Sequence, residues 1–136
     1  MKRMIKYVFT KSELKTLFYF SQHGDYNCEL FDVMQLEQTE FNEAEDGLIA
    51  KNVIQRINNQ DVKVDKMFNA LIEAVVTAEY ICKMDRVLAF VGTEEQGGIV
   101  IVFEEDIRNS EIIKVIPFKN IEEAVEEYGT DLLMFS

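Results

Sequence analysis

The chain has 136 residues and a formal net charge of −11, and 48% of its residues are hydrophobic. This length suits one domain with a sizeable core, and the acidity repels nucleic-acid phosphates and anionic lipid surfaces. No apolar run approaches the roughly 20 residues that span a bilayer, and the start MKRMIKYVF lacks the core and cleavage site of a signal peptide. We therefore expect a cytoplasmic protein without membrane insertion.

The first part of the chain predicts a strand followed by three short helices. RMIKYVFT alternates like a strand, and Thr10 with Glu13 forms a capping box for a helix through SELKTLFYFSQ. NCELFDVMQL predicts a second short helix. QTEFNEAEDGLIAKN predicts a third, capped by Thr39, with one apolar face inward; that face consists of Phe41, Ala44, Leu48 and Ile49.

Two short strands are expected to follow these helices. VIQRI and DVKVD flank the polar stretch NNQ, which is typical of a β-hairpin. Three short helices followed by a hairpin are the elements of a winged helix-turn-helix unit, in which the hairpin is the wing.

The second part predicts a long helix and a small sheet. KMFNALIEAVVTAEYICKM, residues 66–84, is apolar on nearly every side of a helix, so we expect one long central helix. RVLAFVG, GGIVIVFEE and EIIKVIPF predict a three-stranded antiparallel meander. Asn120 and Glu123 cap a C-terminal helix through IEEAVEEYG, which ends at Gly129, and DLLMF adds a last strand or an apolar tail.

These elements predict an α+β fold in a single compact domain, residues 1–136. Residues 1–65 form its winged-helix-like part, and residues 66–136 form the helix and antiparallel sheet. Cys28 and Cys82 lack a metal-like spacing, and we expect both to be reduced and buried.

Candidate catalytic features have simpler explanations. His23 precedes Gly24 in a turn and lacks a nucleophile motif, so we interpret it as a loop residue. GTEEQGG carries two glutamates and precedes a strand, so it predicts a hairpin turn and not a phosphate-binding loop. The carboxylates at residues 104–106 and 122–127 are expected on a solvated surface. We expect no catalytic residue, metal or cofactor.

Four basic residues surround the predicted wing, and they are the sequence's best indication of DNA binding. They are Lys51, Arg56, Lys63 and Lys66. Against this, the preceding helix carries Glu40, Glu43, Glu45 and Asp46, whereas base reading usually uses Arg, Lys, Asn or Gln. Nucleic acid is therefore the less favoured partner.

The meander strands are apolar on both sides, and such strands need cover on both faces. The long helix and the C-terminal helix account for one face. The other face then predicts a partner surface, with a second copy of the chain as one candidate; the alternative is that the N-terminal part covers it. The predicted partner-binding residues are Ile99, Ile101, Phe103, Ile113 and Val115.

The order of SELKTLFYF, EFNEAEDGLIAKN, VDKMFNALIEAVVTAEY, the three strands and IEEAVEEYG resembles one half of the EspG-like chaperones of type VII (ESX) secretion. The resemblance spans residues 10–129, and Gly47–Leu48 matches the family's "Gly-Leu" pair. Asp46 stands where the family usually has Arg. Because the family has two such units, the resemblance implies that this chain forms a homodimer.

The resemblance also implies a function. EspG-like chaperones cover the apolar tip of a helical secretion substrate, so we expect a non-enzymatic module that binds a protein partner of that kind. The alternative is a winged-helix transcription regulator that dimerises through its C-terminal half and contacts DNA through its four wing cations.

Overall fold

The structure is a computed structural model that describes residues 5–30 and 36–133. It has a mixed α and β architecture, and the chain forms two compact units. Phe9–Ile72 make the first, here the hairpin unit; residues 5–8 and 73–133 make the second, here the sheet unit. The sequence predicted an internal division after residue 65, whereas the structure groups residues 66–72, the first part of one helix, with the hairpin unit.

Strand β1 (Tyr7–Thr10) leads directly into helix α1 (Lys11–Phe20). The predicted capping box is confirmed: the Glu13 N–H donates to the Thr10 hydroxyl, and the Thr10 N–H donates to the Glu13 carboxylate. Leu14, Leu17 and Phe18 lie on the buried face of α1, each at most 1% exposed. The apolar spacing of the sequence therefore identified this helix and its start correctly.

Helix α2 (Gln38–Ala50) buries Ala44 and Leu48, as predicted. The predicted Thr39 cap is wrong, because the helix begins at Gln38 and the capping residue is Glu37, whose side chain makes no cap bond. Of the predicted helix NCELFDVMQL, residues 27–30 and 36 are not helical, and residues 31–35 lie outside the described residues.

The predicted hairpin is confirmed. Strands β2 (Ile54–Arg56) and β3 (Val62–Val64) pair antiparallel, with Ile54 opposite Val64. The Asn58 side-chain oxygen accepts hydrogen bonds from the N–H groups of Gln60 and Asp61, so it closes the turn between the strands.

The predicted long helix over residues 66–84 is wrong in its second half. Helix α3 spans Lys66–Val76, and strand β4 spans Tyr80–Met84. From Tyr80 onward burial alternates with the period of a strand: Cys82 is buried between the exposed Ile81 and Lys83. A two-residue turn follows, in which Asp85 has a φ of 45°, and it returns the chain antiparallel to β4.

The predicted meander is confirmed as β5 (Val87–Val91), β6 (Val100–Glu105) and β7 (Ile112–Phe118), which pair antiparallel in sequence order. Two further strands join it, so the sheet has the order β1-β7-β6-β5-β4. GTEEQGG connects β5 to β6 through a 3-10 helix (Glu94–Gln96) and two glycines with positive φ, which confirms the predicted turn.

One face of this sheet packs against the C-terminal elements. Helix α4 (Ile121–Tyr128) is capped by Asn120, whose side chain accepts from the Glu123 N–H, and it ends at Gly129 with a φ of 88°. A 3-10 helix (Thr130–Leu133) follows in place of the predicted strand or tail; Met134–Ser136 lie outside the described residues. Ala124 and Leu132 are fully buried against Val102 and Ile116 of the sheet.

Candidate functional site: a groove beside the hairpin

Lys51, the first of the predicted DNA-binding residues, is held by its own unit. Its Nζ lies 2.5 Å from Oε1 of Glu13 and 5.3 Å from the centre of the Phe9 ring. Glu13 is 6% exposed, and the same carboxylate oxygen accepts the Thr10 N–H of the capping box. Lys51 therefore neutralises a buried carboxylate, and in this arrangement its charge is not directed at a phosphate.

Gly47 makes room for this carboxylate. A Cβ built on Gly47 would lie 2.0 Å from Oε2 of Glu13, far inside van der Waals contact. Gly47 is in the middle of a helix, where glycine is normally unfavourable by about 1 kcal/mol relative to alanine. The close approach of Glu13 explains the glycine of the Gly47–Leu48 pair, and Leu48 is fully buried.

Arg56 on β2 forms an ion pair with Glu45 on α2. The Glu45 side chain is 13% exposed and that of Arg56 is 45% exposed, so the pair lies at the edge of the unit. The sequence contains no signal for this pair, because the two residues lie on different elements with no shared period. The ion pair places one carboxylate of the acidic helix α2 against one cation of the hairpin.

Lys63 and Lys66 differ from the other two cations. Both are exposed, and within the described part of the chain neither forms an ion pair with a carboxylate. Lys63 lies on β3 opposite Gln55, and Lys66 is the first residue of α3. Asp65 between them is already engaged, because its carboxylate accepts the Met67 N–H and caps α3.

Three of the four cations line a groove of about 760 Å³ in the hairpin unit. Lys51 does not line it. The groove combines apolar side chains from the end of α2 and the start of β2 with charged and amide groups from the hairpin and α3. Its lining residues are Ile49, Asn52, Val53, Ile54, Gln55, Arg56, Lys63, Asp65 and Lys66.

The predicted partner surface on the meander is mostly enclosed. Ile101, Phe103, Ile113 and Val115 are between 0 and 3% exposed, and Ile99 is 39% exposed. The expectation that these side chains present an open face is therefore wrong for the first four. The apolar pattern correctly indicated that both faces are covered, but both are already buried in a single chain.

The carboxylates at the end of β6 stabilise the β6–β7 turn. Lys114 lies 3.4 Å from Oδ1 of Asp106 and 3.9 Å from Oε2 of Glu104. The backbone N–H of Arg108 donates to Asp106 and, together with Lys114, lowers the pKa of that carboxyl. Burial and the charge of Glu104, which accepts the Tyr128 hydroxyl, raise the pKa of Tyr128.

The remaining reactive groups have structural positions. His23 is a half-buried loop residue, as predicted: its N–H donates to the carbonyl of Phe18, and its carbonyl accepts the N–H of Tyr26. Cys28 and Cys82 are not joined in a disulfide and both are buried, also as predicted. In residues 5–30 and 36–133, no three His, Cys, Asp or Glu side chains are placed to hold a metal ion together.

Over the same described residues, no helix has both the length and the apolar character that crossing a membrane requires. Comparison with protein-family models, curated proteins and solved structures gave no match to this chain.

Proposed function

We propose that this chain is a non-enzymatic protein-binding module, a chaperone or accessory factor of the kind that the EspG-like resemblance implies. Its partner would be a protein, with a helical secretion substrate as the first candidate, and it would act in the cytoplasm as a homodimer.

The observation that carries this proposal is the composition of the groove. Half-buried Ile49 lies beside cationic and amide side chains, a mixture of apolar anchoring surface and polar rim that is typical of protein interfaces. Two carboxylates at or beside this surface already have structural roles, since Glu45 pairs with Arg56 and Asp65 caps a helix. A protein partner fits this surface better than a chemical reaction does.

The DNA-binding alternative retains one favourable observation. Lys63 and Lys66 are exposed at the hairpin and its exit, where a wing contacts phosphates. Against it, Lys51 is held by Glu13 and does not line the groove, and Glu45 offsets the charge of Arg56, so Lys63 and Lys66 are the two cations left uncompensated. These two would have to hold a phosphate chain that continues beyond them over a protein with a net charge of −11.

The test is purification of the unaltered full chain from its native cell, with protein and nucleic acid in the eluate measured separately. We expect a stoichiometric protein partner and no nucleic acid after a nuclease-free wash at moderate salt. Recovery of nucleic acid without a protein partner would reject the proposal. A gel shift with random-sequence duplex DNA is the companion assay: salt-sensitive binding lost on Arg56→Gln with Lys63→Gln would establish the alternative.

A further inference from the structure

The groove is lined by a segment of the chain in which basic residues outnumber acidic ones. Residues 51–66 contain four Lys or Arg and two Asp, whereas the rest of the chain contains ten Lys or Arg and 23 Asp or Glu. Both aspartates of the segment are engaged in local structure: Asp61 accepts from the Asn58 amide in the hairpin turn, and Asp65 caps α3. The groove is therefore lined by a locally basic segment of an acidic chain.

The cations of this basic segment are accessible to a ligand in two ways. Lys63 and Lys66 are exposed and have no carboxylate partner among the described residues. Arg56 is paired with Glu45, but its side chain remains 45% exposed, and a guanidinium carries five N–H donors, of which one carboxylate uses at most two. All three side chains line the same groove.

The wall between these cations is fixed by backbone hydrogen bonds. The Val53 N–H donates to the carbonyl of Leu48 at 2.9 Å, and the Asp65 N–H donates to the carbonyl of Val53 at 2.8 Å. These bonds tie the end of α2, the start of β2 and the start of α3 together. Val53 and Ile54 are 1% and 3% exposed and form the floor, while half-buried Ile49 offers the accessible apolar surface.

The neighbouring charges favour a short anionic ligand over a continuous one. Asp46 is exposed and lies three residues before Ile49, on the same side of α2. A duplex that presents a phosphate about every 1.7 Å would extend past the groove and meet this carboxylate. A peptide segment can place a few carboxylates at Lys63 and Lys66 and then end or turn away.

We infer that the groove binds a short acidic segment of a partner protein, with an apolar side chain on Ile49 and carboxylates at Lys63, Lys66 and the free face of Arg56. This inference rests on the proposed function and specifies the chemistry of the partner. The groove, with a volume of about 760 Å³, has room for a few side chains of such a segment.

The experiment is an NMR titration of the isotope-labelled full chain with a synthetic capped peptide of alternating Glu and Leu pairs. The peptide has about 12 residues, which span roughly 18 Å as a helix. We expect amide shifts concentrated at Ile49, Val53 and Lys63. A peptide with every Glu replaced by Gln and a short DNA duplex are titrated in parallel.

The double variant Lys63→Gln, Lys66→Gln should weaken binding of the acidic peptide about fivefold, the effect of removing two partly screened charge contacts. The matched control, Arg108→Gln with Lys119→Gln, makes the same change in net charge at exposed sites outside the groove and should leave binding unchanged. Equal binding of the Gln peptide, tighter binding of the duplex at these amides, or concentration-dependent shifts there without any ligand would each overturn the inference.

This titration and the native purification fail in different ways. A protein partner that is recovered equally well by the Lys63→Gln, Lys66→Gln chain would contradict the groove and leave the protein-binding function standing. Failure to recover any partner with the unaltered chain would contradict the function itself.

Discussion

The two units are stabilised by different kinds of contact. In the sheet unit, the core consists of apolar side chains from four antiparallel strands, α4 and the 3-10 helix that follows it; Cys82, Val102, Ile116 and Leu132 are all fully buried there. In the hairpin unit, apolar packing is joined by a buried carboxylate, Glu13, that touches a helix cap, a lysine and a glycine. The stability of the sheet unit depends on the volume of its buried side chains and on their alternation along the strands. The stability of the hairpin unit also depends on the positions of its polar groups.

This difference determines where substitution is tolerated and where a ligand can bind. A core of interchangeable apolar groups accepts changes that preserve volume. A polar cluster accepts few changes, because each missing partner leaves a buried group without its hydrogen bond. The groove lies in the unit with the polar cluster, and its cations remain accessible because most of the neighbouring carboxylates are already engaged.

The largest expected effect is in the sheet unit. Ile116→Ala removes a fully buried side chain and should lower the free energy of unfolding by about 2–5 kcal/mol. Urea denaturation measures this change. Ile107→Ala is the matched control, since Ile107 is 73% exposed, and it should change stability by less than about 0.5 kcal/mol. Equal effects of the two substitutions would contradict the apolar account of this unit.

A double-mutant cycle tests the polar cluster of the hairpin unit. The clash of the Gly47→Ala side chain with Glu13 should destabilise the chain by about 1–3 kcal/mol. The higher helix propensity of alanine offsets about 1 kcal/mol of this loss. In a Glu13→Ala background the clash is gone, so the same Gly47→Ala change should become stabilising. A Gly47→Ala effect of the same sign and size in both backgrounds would show that Glu13 does not occupy the space beside Gly47.

Helix caps give a smaller contrast between the units. Asn120→Ala removes the side-chain oxygen that accepts the Glu123 N–H at the start of α4 and should cost about 1 kcal/mol. Glu37→Ala at the start of α2 removes no cap bond and should have little effect. Thermal melting of both variants measures the difference, and the prediction fails if Glu37→Ala is the more damaging change.

The smallest effect is expected at alkaline pH. Burial first, and then the charge of Cys28, raise the pKa of Tyr26 from its ordinary value near 10 to about 12. A raised pKa in the folded state means that the stability contribution is present below pH 10 and is lost as the pH rises toward 12. Tyr26→Phe keeps the ring stacked on Phe18 and should flatten this decline in the free energy of unfolding.

Much of the fold could be predicted because short-range signals agree with the final structure. The Thr10 and Asn120 caps, the Asn58 turn and the three apolar strands are all specified within a few residues. The end of α3 was missed because TAEYICKM is apolar enough for a helix, and the alternation of Tyr80, Cys82 and Met84 became informative only once β5 paired with it.

The candidate site could be predicted only in part. The sequence identified the four cations of the hairpin region. It did not show which of them form ion pairs, because the carboxylate partners are distant in the sequence: Glu13 lies 38 residues before Lys51. The prediction of an open sheet face was wrong, although the strands are apolar on both sides as the sequence indicated. An apolar strand indicates that both faces are covered, but it contains no information about whether the cover belongs to the same chain.

The most direct test of the central claim is a comparison of partner recovery from the native cell by three full-length chains: the unaltered chain, Lys63→Gln with Lys66→Gln, and Arg108→Gln with Lys119→Gln. The account predicts that the unaltered and control chains recover the same protein in equal amounts and that the groove variant recovers several-fold less. Recovery of nucleic acid in place of protein, lost in the groove variant and retained in the control, would contradict it and establish the hairpin as a wing that contacts DNA.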